Sequence, residues 1–162
     1  MKRTRVITAI MMLCLLLTAC AQSGTPKTEY FGFVITDYTV VEQVDTHGGF
    51  HGDGAYRLIL DCSKNASQAR EIVKDWTPLP LSENLELIMY GGSRDGIWYG
   101  YELAEEAHWP KVTNGVYRFV NRHHNAVNEA DDTNLLAEYS FNFSIAVYDF
   151  DTETLYYFEF DT

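Results

Sequence analysis

Hydrophobic and polar positions alternate with a period of two along several stretches of the chain, and this pattern predicts β-strands. In residues 141–148, Phe141, Phe143, Ile145 and Val147 alternate with mostly polar residues, which predicts a half-buried strand. The same alternation, or a run of β-branched and aromatic residues, predicts further strands at residues 30–35, 38–44, 55–62, 85–90, 97–103, 116–121 and 154–161.

One stretch has the periodicity of a helix. Ala69, Ile72, Val73 and Trp76 recur at intervals of three or four residues. They follow Asn65-Ala-Ser-Gln68, which has the form of a helix capping box. The pattern predicts one main helix at residues 66–75, and a single helical turn is predicted near residues 134–139.

These elements predict an α+β fold. We expect a mainly antiparallel sheet of about seven to eight strands with the helix at residues 66–75 packed on one face. Residues 45–54 hold four glycines and separate two predicted strands, which favours a hairpin connection there.

The N-terminal segment has the pattern of an export signal. Lys2, Arg3 and Arg5 precede an apolar block at residues 6–17, and small residues then lead into Cys20. The block is shorter than the roughly 20 apolar residues of a membrane-spanning helix. Residues 1–19 are therefore predicted to be a cleavable signal peptide.

The four residues Leu17-Thr18-Ala19-Cys20 resemble the lipobox of bacterial lipoproteins. The resemblance implies cleavage before Cys20 and a covalent diacylglyceryl group on its thiol. It also implies acylation of the new amino terminus and a location on the extracytoplasmic side of the cell membrane. The remainder is similar, at residues 45–54 and 155–162, to small lipoproteins of Gram-positive bacteria, and this second resemblance implies no activity.

Charge and length refine this organisation. Residues 20–29 form a polar tether with Gly24 and Pro26, and residues 30–162 are predicted to be a single globular domain. Removal of residues 1–19 leaves 143 residues with 9 basic and 23 acidic side chains, a net charge of −14. Such a surface repels phosphate groups, which excludes nucleic acid as a partner and leaves the lipid as the contact with the membrane.

The cysteine count excludes an internal disulfide in the exported chain. Cys14 lies in the signal segment and Cys20 is the predicted lipidation site, so Cys62 has no cysteine partner. Cys62 continues the alternation of Tyr56, Leu58 and Leu60, which favours a small core residue over a reactive nucleophile.

Four potential metal ligands lie in the glycine-rich stretch: Asp45, His47, His51 and Asp53. Imidazole and carboxylate groups are common ligands of a divalent metal such as zinc. His123 and His124, in another predicted loop, are candidates to complete the site. The structural alternative is a loop in which Asp and His side chains bond to the local backbone, and the sequence favours that alternative.

Trp98 and Tyr99 are adjacent on a predicted strand, so their side chains point to opposite faces and at least one is expected to be less buried. An exposed ring there is a candidate binding surface for an envelope protein or a cell-wall glycan. The chain lacks the motifs of nucleophilic hydrolases. This favours a non-enzymatic binding or accessory domain, with a metal-dependent, hydrolytic site at residues 45–54 as the alternative.

Overall fold

The computed structural model describes residue 31 and residues 35–48, 52–123 and 128–162. The strands are β1 (Thr39–Asp45), β2 (Gly54–Asp61), β3 (Thr77–Pro78), β4 (Gly92–Arg94), β5 (Ile97–Tyr99), β6 (Gly115–Asn121), β7 (Asn142–Asp149) and β8 (Thr154–Asp161). The helices are α1 (Ala66–Val73), α2 (Glu83–Tyr90) and α3 (Leu103–Glu106), with 3₁₀ turns at Ser63–Asn65 and Leu135–Ala137.

Six of the strands form one antiparallel sheet in the order β1-β2-β8-β7-β6-β3. Strands β4 and β5 form a separate two-stranded hairpin. The predicted α+β class and the mainly antiparallel sheet are confirmed. The predicted hairpin connection is also confirmed, because β1 and β2 pair directly on either side of the glycine-rich loop.

Both faces of the sheet are buried. Helix α1 packs through Ala69 and Val73 on the face that carries Leu58 and Tyr157. Residues of α2 and α3 pack on the opposite face, which carries strand residues such as Ile145 and Phe158. The prediction of one main helix on one face is therefore wrong, since the three helices of the described residues divide between two faces.

Strand β7 shows the consequence of this layering. Every residue of β7 except Asn142 is buried, so the prediction of a half-buried strand is wrong. On the face predicted to be polar and exposed, Tyr148 packs in the cluster that contains Ala69 and Val73 of α1, and Ser144 is fully buried. A strand covered on both faces is expected to be apolar throughout, and β7 is central in the sheet.

The stretch predicted as a strand at residues 85–90 is the helix α2. The hydroxyl of Ser82 accepts a hydrogen bond from the Leu85 N–H at 3.2 Å, which caps the first turn. Leu85, Ile88 and Met89 then recur at helical spacing and are all buried. The alternation of Leu85, Leu87 and Met89 misled the prediction because a short apolar run fits either period.

Helix α1 confirms the prediction at residues 66–75 but ends two residues earlier. The predicted capping box is not formed: the Asn65 amide donates instead to Gln68 Oε1 at 3.0 Å. Strand β5 is shorter than predicted, while the predicted turn near residues 134–139 is the 3₁₀ turn Leu135–Ala137. Most of the strand predicted at residues 30–35 lies outside the described residues.

Among the described residues, no helix has the length and apolar character needed to span a bilayer. The signal segment at residues 1–19, the lipidation residue Cys20 and the tether lie outside them.

Candidate functional site

The glycine-rich connection between β1 and β2 holds His47 between two carboxylates. Its Nδ1 lies 2.7 Å from Asp45 Oδ1, and its Nε2 lies 3.0 Å from Asp161 Oδ2 at the end of β8. The His47 backbone N–H also donates to Asp45 Oδ1 at 3.0 Å. This local turn needs a glycine at position 54, because a Cβ there would lie 2.7 Å from the His47 backbone.

The Asp161 carboxylate joins this loop to a larger polar cluster at one end of the sheet. Arg122 Nη2 lies 2.9 Å from Asp161 Oδ1 and also donates to the Phe143 carbonyl at 3.0 Å. The hydroxyl of Tyr157 donates to the neighbouring Glu159 carboxylate. Burial raises the pKa of Glu159, although the Tyr157 hydrogen bond and the positive charge of Arg122 act in the opposite direction.

This arrangement supports a structural role for His47 more directly than a metal site. Both ring nitrogens already face carboxylates, so a metal ion would have to displace one of them. Across residues 35–48, 52–123 and 128–162, no three His, Cys, Asp or Glu side chains group closely enough to hold a metal ion. Asp53 is exposed, and His51 and His124 lie outside the described residues.

His123, the other described candidate ligand, is buried in a different environment. Its Nδ1 lies 3.5 Å from Glu138 Oε2, and its ring contacts Tyr139 edge-on with centroids 5.5 Å apart.

The hairpin β4–β5 carries the predicted surface aromatics. Its tight turn, Asp95-Gly96, has φ values of 54° and 78°, as expected for a two-residue turn with both central residues left-handed. The side chain of Trp98 is 69% exposed and Ile97 is 57% exposed. Tyr99, on the other face, is partly buried under Arg94, whose guanidinium lies 5.6 Å from the ring centre.

The hairpin is attached to the rest of the domain through Arg94. Arg94 Nη1 donates to Asn84 Oδ1 on α2 at 2.6 Å. After the hairpin, Tyr101 packs edge-on against Phe141 with ring centroids 5.1 Å apart. The exposed side chain of Trp98 is thus presented from a hairpin that is held in place by contacts with α2 and Phe141.

A cleft of about 420 Å³ opens beside β6 and was not anticipated from the sequence. Tyr117 to Val120 of β6 line one side of it, and Trp76, Ser82 and Leu85 contribute from the helices and their connections. Acidic side chains occur at its margin: Asp75, Glu129 and Asp132. The lining residues extend from Ile72 to Asp132 along the chain, so no local sequence signal predicts the cleft.

Cys62 is fully buried, as its alternation with Leu58 and Leu60 predicts. Burial raises the pKa of its thiol to about 11, so the nucleophilic thiolate is scarce at neutral pH.

No family model, curated protein or solved structure matches the chain.

Proposed function

We propose that the chain is a lipid-anchored protein of the extracytoplasmic face of a bacterial membrane, whose domain binds an envelope protein without catalysing a reaction. The basic and apolar leader, the lipobox residues ending at Cys20 and the polar tether support the anchoring. The exported chain is strongly negative, so anionic lipid headgroups repel the domain, and this supports attachment to the membrane through the lipid on Cys20.

The observation that carries the binding role is the exposed side chain of Trp98 on the β4–β5 hairpin. Tryptophan is among the residues that contribute most to protein–protein binding energy when a partner covers them. Arg94 braces the hairpin against α2, so little conformational freedom is lost on binding.

Two features of the described residues support a non-enzymatic role. The Cys62 thiol is buried with a raised pKa, and both ring nitrogens of His47 are already paired with carboxylates. A nucleophile and a general base must each have an accessible reactive atom, and neither side chain offers one.

The test is chemical cross-linking in intact cells that express the full chain. We expect a discrete protein adduct with the wild type and its loss, by about tenfold or more, in Trp98→Ala. Val41→Ala is the matched control, because Val41 is an exposed apolar side chain on β1 at the far edge of the sheet, and it should retain the adduct.

Equal adduct yield from Trp98→Ala and the wild type would contradict the proposal. Trp98-dependent retention on purified cell-wall glycan, with no protein adduct, would assign the hairpin to a glycan instead.

A further inference from the structure

The outer edge of β6 is only partly covered by β3. Strand β3 pairs through two residues, Thr77 with Tyr117 and Pro78 with Val116. Strand β6 continues to Asn121, and it pairs with β7 along its whole length on the other side. Among the described residues, no strand lies beside Arg118 to Val120 on the outer edge.

The hydrogen-bond pattern identifies the backbone groups at this edge. Arg122 N–H donates to Asn142 O at 2.8 Å, which places the even-numbered positions toward β7. The Gly115 carbonyl accepts from Leu79 N–H at 3.1 Å, and Asn121 N–H donates to Glu129 O at 2.7 Å, which places the odd-numbered positions outward. By this alternation the N–H and C=O of Phe119 point outward between two occupied positions.

These two backbone groups face the cleft, because Phe119 and its neighbours in β6 line it. The volume of the cleft, about 420 Å³, lies in the range of ligand-binding clefts. Trp76 and Leu85, both buried, also line the cleft beside the strand edge. An extended segment laid about 4.8 Å from β6 would pair with Phe119 between the positions that Thr77 and Glu129 occupy.

The charges at the cleft margin specify the ligand further. Three carboxylates lie there, and the single basic lining residue, Arg118, already donates to the Phe31 carbonyl at 3.2 Å and lies over the Phe31 ring. The Asp132 carboxylate accepts from the Ser82 hydroxyl, which fixes one acidic group at the margin. The margin therefore complements a cationic ligand and disfavours a second copy of this acidic chain.

We propose that the cleft binds an extended peptide segment carrying lysine or arginine, which adds to the outer edge of β6 as a strand. Backbone hydrogen bonds to Phe119 supply the affinity for an extended chain, and the carboxylates of Asp75, Glu129 and Asp132 select basic side chains. The site is separate from the β4–β5 hairpin and does not depend on the proposed partner of Trp98 or on the anchor.

The test uses the full expressed chain in detergent and a fluorescent ten-residue peptide of alternating threonine and lysine. We expect binding that weakens with salt and no binding of the matched threonine–glutamate peptide. The double variant Asp75→Asn/Glu129→Gln should bind about three- to tenfold more weakly, as expected for two exposed charge pairs. Glu105→Gln/Glu106→Gln removes the same charge away from the cleft and should bind as the wild type, as should Trp98→Ala.

Amide hydrogen exchange provides a readout that general attraction between opposite charges would not produce. The Phe119 amide should exchange rapidly in the free chain and become protected by at least about tenfold when the lysine peptide binds, while the Val120 amide, already paired with β7, should change little. An unchanged Phe119 amide at peptide saturation, or an equal loss of affinity in the two double variants, would overturn the proposal.

Discussion

Replacement of Ile88 by alanine tests the placement of α2 in the core. Ile88 is completely buried among residues of the cluster that packs α2 and α3 against the sheet. In a strand, Ile88 would share a face with Glu86, and its truncation would have little effect. In the helix it shares a face with Leu85 and Met89, so the substitution opens a cavity.

The magnitude follows from the atoms removed. Truncation of isoleucine to alanine deletes three carbons, worth about 2.4 kcal/mol at about 0.8 kcal/mol each. The unfilled cavity raises the loss in free energy of unfolding to about 3–4 kcal/mol. For a domain of this size the melting temperature is expected to fall by about 10 °C.

Urea denaturation followed by tryptophan fluorescence measures this free energy. Glu83→Gln, an exposed substitution in the first turn of the same helix, is the control and is expected to change stability by no more than about 0.5 kcal/mol. A loss below about 1 kcal/mol for Ile88→Ala, with an unchanged m-value, would refute the assignment of Ile88 to the core.

Three further predictions concern titration, thiol chemistry and metal content. Hydrogen bonding by Arg70 lowers the pKa of Glu153 below 4.5, so this pair stabilises the fold above pH 4.5 and the contribution disappears as the pH falls through the lowered value. Glu153→Gln should therefore reduce the loss in free energy of unfolding, measured by urea denaturation, as the pH falls below 4.5. An unchanged pH dependence in this variant would contradict a stabilising Arg70–Glu153 pair. Cys62 should resist a thiol reagent in the native chain and react after unfolding in urea, since it is buried with a pKa of about 11; rapid native labelling would argue against its core position. Metal analysis of the purified chain should find no stoichiometric zinc, and zinc that is lost in His47→Ala would restore the metal site at residues 45–54 as the better account.

Local pattern was sufficient for most strands. The alternation at residues 55–62 and the aromatic run at residues 154–161 correspond to β2 and β8, because successive side chains of a strand point to opposite faces and the sequence pattern reflects this period. The same pattern could not reveal that β7 is buried on both faces. That outcome depends on α1 and α2 together, because they cover opposite faces of the sheet, and residues 85–90 of α2 fit a strand as well as a helix.

Among the candidate sites, too, local pattern predicted some features, while others depend on contacts between distant residues. The exposure of one ring in the Trp98–Tyr99 pair followed from adjacency on a strand, and Trp98 is the exposed one. His47 and Asp161 are 114 positions apart in the sequence, so the local pattern around neither residue could predict their pairing. The cleft beside Phe119 lies where β3 pairs with only two residues of β6, and its lining residues extend from Ile72 to Asp132, so no local pattern predicts it.

Lipid attachment at Cys20 is the claim on which the proposed location and role depend. The decisive measurement is metabolic labelling of expressing cells with a fatty-acid precursor, followed by mass analysis of the purified chain. We predict a labelled product that begins at residue 20 and carries a diacylglyceryl group, and no label on Cys20→Ala. An unlabelled wild type that retains residues 1–19, or equal label on the wild type and Cys20→Ala, would contradict the account.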